Sequence, residues 1–238
     1  MKILALDTAT ENCSAALLID GRLSAREALL EHGHAERILF MLEELLGEAA
    51  LEPAALDAIA FGRGPGAFTG VRLAASVTQG IAFGAGVGVV PVSDLRAVAQ
   101  RALDASPAAS RILVCNDARM REVYFGCFER GADGLARAAA PERVGSPARV
   151  VLPADWSGGV LGAGTGFQVY PELRQRLAAS VDALPGPGLL PRAAEIARLA
   201  VPEVVAGGAL PAEQALPVYL RDDVVQTGKA AVTKLTPT

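Results

Sequence analysis

Histidine is nearly missing from this chain: its two copies, His32 and His34, stand two residues apart. On a helix that spacing puts them on different faces, whereas a helical metal pair needs positions three or four apart. With no third imidazole, an all-histidine site is excluded, and the two read as polar residues at a helix start. Cysteine is equally sparse. Cys13, Cys115 and Cys127 are widely spaced and odd in number, with no CxxC, which speaks against a disulfide framework or a zinc site. Aromatic residues make up only 5%, so the apolar mass is Ala, Val and Leu, and alanine-rich helices pack closely. Basic charge is not in excess. A net charge of −4 argues against an autonomous nucleic-acid binder, though not against work beside a partner that binds the nucleic acid. There is no GxSxG elbow and no plausible Ser/His/Asp triad. No apolar run of membrane-spanning length escapes Gly, Pro or polar breaks, and Met1 to Asp7 reads as a strand rather than a signal peptide. The expectation is a soluble, cytoplasmic protein without a membrane role.

What the chain does have is glycine, concentrated at Gly64-Pro65-Gly66-Ala67-Phe68-Thr69-Gly70-Val71-Arg72. The stretch follows an apolar run, Ala58 to Phe61, and precedes an Ala-rich helical run, so it is a strand-to-helix turn. Its glycines imply unusual backbone angles or close backbone approach, and Thr69 is placed to cap the helix. Such a turn either cradles an anion on free N–H groups or lets two backbones touch.

The order of elements reads twice. Ile3 to Thr8, Cys13 to Ile19 and Arg22 to Leu30 are strands, with Asp20-Gly21 as a hairpin turn. His34 to Leu46 is a helix closed by Gly47. Asp57 to Gly62 is a strand, Val71 to Phe83 a helix and Val87 to Val92 a strand. Ser93 caps a helix to about Ala105, and residues 106–110 form a linker. The pattern then restarts. Arg111 to Asn116, Glu122 to Glu129 and a weak Leu135 to Ala140 are strands, and a short helix lies near Pro147 to Leu152. Gly159 to Gly162 is a strand, Phe167 to Ala179 a helix, Val181 to Leu184 a strand, and Arg192 to Val205 a helix that Pro202 kinks or ends early. The repeat is one of pattern, not of residues. It implies an N-terminal lobe over 1–106, a C-terminal lobe over 107–226 and a disordered tail over 227–238. Each lobe carries a mixed sheet flanked by helices. This α/β doubling matches two RNase H-like lobes of the actin/hexokinase/Hsp70 superfamily, the second lobe shortened.

That superfamily holds a nucleotide between its lobes, and Asp7 and Asp117 sit at equivalent ends of the first strands. Two readings stand side by side. Either they hold magnesium on a nucleotide, in a small-molecule kinase or ATPase, or each hydrogen-bonds a turn at a strand end. Thr8-Ala9-Thr10 lacks the glycine that would let a phosphate reach the backbone. Gly162-Ala163-Gly164-Thr165-Gly166 has the wrong spacing for a dinucleotide loop and reads as a strand-to-helix turn. Arg119, beside Asp117, favours an ion pair over anion binding. Ile38, Leu39, Met41, Leu42, Leu45 and Leu46 are more apolar residues than one buried face needs. The small-residue helix after Val71 permits close approach of another helix. Two such helices side by side make either a docking surface or an ordinary covered layer.

Five stretches resemble the TsaB (YeaZ) family and span nearly the whole chain. They are Ile3-Leu4-Ala5-Leu6-Asp7-Thr8-Ala9-Thr10, His34-Ala35-Glu36-Arg37-Ile38-Leu39, the glycine stretch with Phe68-Thr69-Gly70-Val71-Arg72, Asp117-Ala118-Arg119 with Glu122-Val123-Tyr124, and Pro217-Val218-Tyr219-Leu220-Arg221. Ala67 departs from the family's usual serine. The resemblance implies a non-catalytic subunit of tRNA threonylcarbamoyladenosine (t6A) formation that binds TsaD, with TsaE as a further partner. It also implies a homodimer in isolation and contact with tRNA through the complex. Catalysis, ATP and the metal belong to the partners, so no cofactor, metal or catalytic residue is expected here, and His32-Gly33-His34 lacks TsaD's HxxxH. The implied partner interface lies on the helices His34 to Leu46 and Val71 to Phe83. It comprises His34, Arg37, Ile38, Met41, Leu42, Leu45, Val71, Arg72, Ala74, Ala75 and Thr78, with Leu42→Glu and Ala74→Arg expected to spare the fold. On this reading the glycine turn positions a docking helix, and Arg72, a cation at a helix start, needs an acidic partner in its own chain or across the interface.

Overall fold

The computed structural model describes residues 1–184 and 188–221; the expected tail, 227–238, lies outside the described residues. The first sheet has five strands, ordered β3-β2-β1-β4-β5. Here β1 is Lys2–Asp7, β2 Asn12–Ile19, β3 Arg22–Leu29, β4 Ala58–Gly62 and β5 Gly88–Val92. The β2–β3 hairpin turns on Asp20 (φ 47°) and Gly21 (φ 83°), the paired left-handed residues that a tight two-residue turn demands. Helix α1 (His34–Glu48) leads into β4, α2 (Phe68–Ala85) crosses from β4 to β5, and α3 (Asp94–Ala105) follows. Ser93 caps α3 as expected, its Oγ accepting from the Arg96 N–H at 3.2 Å.

The second sheet repeats the plan in the order β11-β10-β6-β7-β8, with β9 also on β7. Its strands are β6 (Arg111–Asp117), β7 (Val123–Arg130), β8 (Ala136–Ala138), β9 (Arg143–Gly145), β10 (Val160–Ala163) and β11 (Val181–Ala183). The weak strand expected over Leu135 to Ala140 is shortened to β8, and β9 is an additional strand that was not anticipated. In each lobe the first strand pairs antiparallel with the second and parallel with the strand that follows the hairpin set, β4 in the first lobe and β10 in the second. That is the RNase H-like plan of the actin/hexokinase/Hsp70 superfamily, and the second lobe has only a single 3₁₀ turn where α1 stands in the first.

Four boundaries differ from expectation. Helix α1 runs through Gly47, and the left-handed residue beyond it is Ala50 (φ 47°). Helix α2 starts at Phe68 with Ala67 at its cap position and no side-chain cap, so Thr69 does not cap it. The helix expected over Phe167 to Ala179 is two pieces, α4 (Gly166–Val169) and α5 (Pro171–Leu177), because Pro171 has no N–H to continue the ladder. Helix α6 (Ala193–Val205) keeps Pro202 inside it.

The lobes are not consecutive halves of the chain. Ile38, Met41, Leu42 and Leu45 of α1 join Ala74, Ala75 and Ala82 of α2 in one core with Leu4, Leu6 and Phe61. The opposite face of that sheet is covered by Ile196, Ala197, Leu199 and Ala200 of α6. Helix α3 buries Leu95, Val98, Ala102 and Leu103 against Ile112, Val114 and Phe128 of the second sheet. Each lobe's last helix therefore packs on the other lobe's sheet. The segment after α6 also returns to the first lobe, with Leu210 bridging Val89 and Ala212 and Ala215 in the α1–α2 core.

Leu42 is 2% exposed and Ala74 fully buried. Leu42→Glu would place an unpaired carboxylate in the core and cost about 3–5 kcal/mol. The expectation that it spares the fold is replaced by its opposite: its urea midpoint falls far below wild type.

Candidate functional site

The end of β1 is pressed against the glycine turn. A methyl group built on Gly70 would stand 2.1 Å from the Thr8 carbonyl oxygen, and one on Gly66 2.5 Å from that of Ala9. Hydrogen bonds close the contact: the Ala67 N–H donates to the Ala9 carbonyl at 2.7 Å, and Thr8 Oγ1 donates to the Gly70 carbonyl at 2.7 Å. Gly64 (φ +100°) meets Val218 on its other side, where a methyl group would lie 2.8 Å from the Val218 carbonyl. Of the two roles open to the turn, close backbone approach is the one its glycines serve. The turn's backbone lies directly on the Thr8 and Ala9 carbonyls. The second lobe repeats the device. Methyl groups on Gly164 and Gly166 would lie 2.4 and 2.8 Å from the Cys115 carbonyl, so Gly162 to Gly166 is a packed strand-to-helix turn, as read.

The two strand-end aspartates are engaged locally. Asp117 accepts from Tyr170 Oη at 2.8 Å and the Arg119 N–H at 2.9 Å, and pairs with the Arg119 guanidinium at 3.1 Å. Burial, together with the bond to Asp117, pushes the Tyr170 phenol up to about 12. Asp7 is fully buried, and its Oδ1 accepts from the Ala9 N–H at 2.8 Å. It lies against Asp94, a residue nothing in the sequence pattern singled out except that it follows a cap. Asp94 accepts from the Gly64 N–H, tying α3 to the glycine turn. Among the described residues, no three His, Cys, Asp or Glu side chains cluster as metal ligands would. His34 is also spoken for, its Nε2 lying 2.9 Å from the Thr10 carbonyl oxygen.

At the start of α2 the Arg72 guanidinium lies 3.7 Å over the Phe68 ring, and its Nε donates to Tyr219 Oη at 2.7 Å. The expected acidic partner is replaced, within the chain, by two aromatic rings, which attract a cation through their faces. Two residues on, Arg221 pairs with Glu122 at 2.6 Å and donates to the Ala118 carbonyl at 3.2 Å, while the Val218 N–H donates to Arg63. The segment 217–221 therefore straps the first lobe to the second. The five stretches noted above converge on this one end of the molecule.

Beside it, α1 and α2 lie next to each other on the sheet. Ile38, Met41, Leu42, Leu45, Val71, Ala74, Ala75 and Thr78 are all buried in the chain's own core, which removes their side chains from the expected interface. His34 and Arg37 are half-buried and Arg72 is exposed. The outward face is instead built from residues the reading missed or only hinted at. Leu39 (54% exposed), Phe40 (50%), Phe68 (45%) and Phe83 (83%) stand out from it, with exposed Ser76 and Gly80 between the rings on α2. The surplus of apolar residues on the first helix was the one sequence signal for this face.

Residues 28–234 match the family model described as TsaD: tRNA N6-adenosine threonylcarbamoyltransferase. The chain is 38% identical to the tRNA threonylcarbamoyladenosine biosynthesis protein TsaB of Escherichia coli (strain K12), over 94% of this chain and 96% of that protein. It is 36% identical to the TsaB of Haemophilus influenzae (strain ATCC 51907 / DSM 11121 / KW20 / Rd), over 94% and 95%. The solved structure titled YeaZ from Pseudomonas aeruginosa superposes with a TM-score of 0.83 at 46% identity, covering 92% of this chain and 99% of that one.

The two kinds of glycine in α2 should respond oppositely to alanine. Gly70→Ala must push Thr8 away and should cost about 1–3 kcal/mol. Gly80→Ala meets nothing within 4 Å and should gain about 0.5–1 kcal/mol by restricting the unfolded chain. Paired urea melts check both signs.

Proposed function

The chain belongs to the TsaB (YeaZ) family, and from that membership we propose that it is a non-catalytic subunit that binds and activates TsaD. The reaction is t6A formation, the transfer of threonylcarbamoyl from threonylcarbamoyl-AMP to N6 of adenosine 37 of tRNA. A part in t6A biosynthesis follows from relatives aligned over nearly the whole chain. The observation that supports a docking role is the outward face of α1 and α2, where Leu39, Phe40 and Phe83 stand half or more exposed. Large rings separated by Ser76 and Gly80 let a partner helix lie close between apolar anchors, the composition of an interface core.

Catalysis, ATP and the metal belong to TsaD and TsaE in this reading, and tRNA is met through the complex. Activation comes from the subunit binding the competent arrangement of TsaD more tightly than the other, since differential affinity is the only energy it can supply. A homodimer through the same face would compete with that complex. One solved relative carries the word peptidase in its title. Here the thiols are poor nucleophiles: burial pushes Cys13 and Cys127 up to about 11 and Cys115 well above its ordinary value.

Reconstituted modification with TsaD, TsaE and this chain tests the reading. Phe83→Glu and Ser76→Arg, both at exposed positions, should lower t6A formation at least tenfold and weaken TsaD binding alike, with urea midpoints unchanged. Val205→Ser, an exposed site elsewhere, should leave the rate alone. Wild-type binding and rate from folded Phe83→Glu would overturn the placement.

A further inference from the structure

Two carboxyl groups are sealed inside this protein, and among the described residues no cation is bonded to either. Asp7 and Asp94 are both at 0% exposure. One oxygen of each is held by the backbone, Asp7 Oδ1 by the Ala9 N–H at 2.8 Å and Asp94 Oδ2 by the Gly64 N–H. The others, Asp7 Oδ2 and Asp94 Oδ1, find no donor among the described residues. The carboxyls meet across Gly62, where an added methyl group would lie 2.5 Å from Asp94 Oδ1 and 2.6 Å from Asp7 Oδ1. Their wider surroundings are mixed in charge. His34 acts on Asp7 from α1, and Glu142 acts on Asp94 from the β8–β9 loop. Glu142 is itself held by Ser93 Oγ and by Arg63 at 3.6 Å.

Two ionised carboxylates cannot face one another in a dry site, since one suppresses ionisation of the other. A proton kept by one carboxyl removes the conflict and lets that group donate to the other. We propose that Asp7 and Asp94 share one proton, and that this acid pair clamps the entry of the glycine turn to the end of β1. Asp94 carries the Gly64 end of the clamp and Asp7 the Ala9 end, so the proton ties α3, the turn and the β1–β2 corner together. The clamp belongs to the isolated chain and stands whether or not the docking reading does.

The pH dependence follows. Burial, the largest influence, pushes Asp7 up to about 6, and burial followed by the charge of Asp7 drives Asp94 well above the carboxylate range. The unfolded chain releases both protons near the ordinary value of about 4. The folded chain keeps its proton beyond that, so the stabilisation is fully present below pH 4 and is lost as pH rises through the folded values. The folding constant loses up to tenfold per pH unit per retained proton.

An amide can replace the shared proton, because its oxygen accepts from the backbone while its –NH₂ donates to the remaining carboxylate. Urea unfolding between pH 5 and 9 should therefore show wild-type stability falling with pH. Asp94→Asn and Asp7→Asn should each give a flatter profile and, at pH 8, match or exceed wild type. The double variant turns two –NH₂ groups on each other and should be less stable than either single variant at every pH. Single variants that keep the wild-type slope, or a double variant as stable as the singles, would overturn the pair. Carbon-13 NMR of the wild-type side-chain carboxyls gives a second readout that needs no variant to fold. One of the two should titrate above the ordinary range, and titration of both near pH 4 overturns the proposal.

Discussion

The contact of Gly66 and Gly70 with the carbonyls of Ala9 and Thr8 is the constraint on which the rest of this molecule depends. It fixes the first turn of α2 on the end of β1 without room for a single methyl group. From there α2 is committed to its line across the sheet. Ala74, Ala75 and Ala82 face the core shared with α1, and Phe68, Arg72, Ser76, Gly80 and Phe83 face outward. One packing decision thereby sets which residues of α2 are buried and which face outward.

Contacts also cross between the two halves of the chain. Helices α3 and α6 each lie on the opposite sheet. The Asn12 side chain donates to the Pro191 carbonyl at 3.0 Å, and the Ala193 N–H to Ser14 Oγ at 3.0 Å, tying the start of α6 to β2. Arg221 pins the strap to Glu122. A surface held by such packing avoids ordering costs on binding.

Much of the fold was legible in the sequence. Apolar runs marked the central strands of both sheets, Asp20-Gly21 marked the hairpin turn, and Ser93 marked a helix cap. The doubled order of elements gave the superfamily. Crossed helices were not legible, because hydrophobic periodicity marks which face of α6 is buried but not which sheet covers it. The site was legible only in place. The glycine turn was singled out, yet its role depended on Thr8 and Ala9, far away in sequence, and Asp94 matters only through Asp7 and Gly64. The helix residues expected outside lie inside for a plain reason. Ile38, Met41, Leu42 and Leu45 form the α1 stripe that amphipathic periodicity finds, and that stripe belongs to the chain's own core. What faces outward is the remainder, marked by Leu39, Phe40 and Phe83 standing where polar residues are usual.

Calorimetry of the isolated chain with ATP and magnesium, followed by amide chemical-shift mapping, tests the central claim most directly. If the glycine turn serves backbone packing alone, no saturable heat appears and the amides of Thr8 to Thr10 and Gly64 to Gly70 do not move. Stoichiometric binding that shifts those amides would contradict the account, because the turn would then be receiving an anion on its N–H groups.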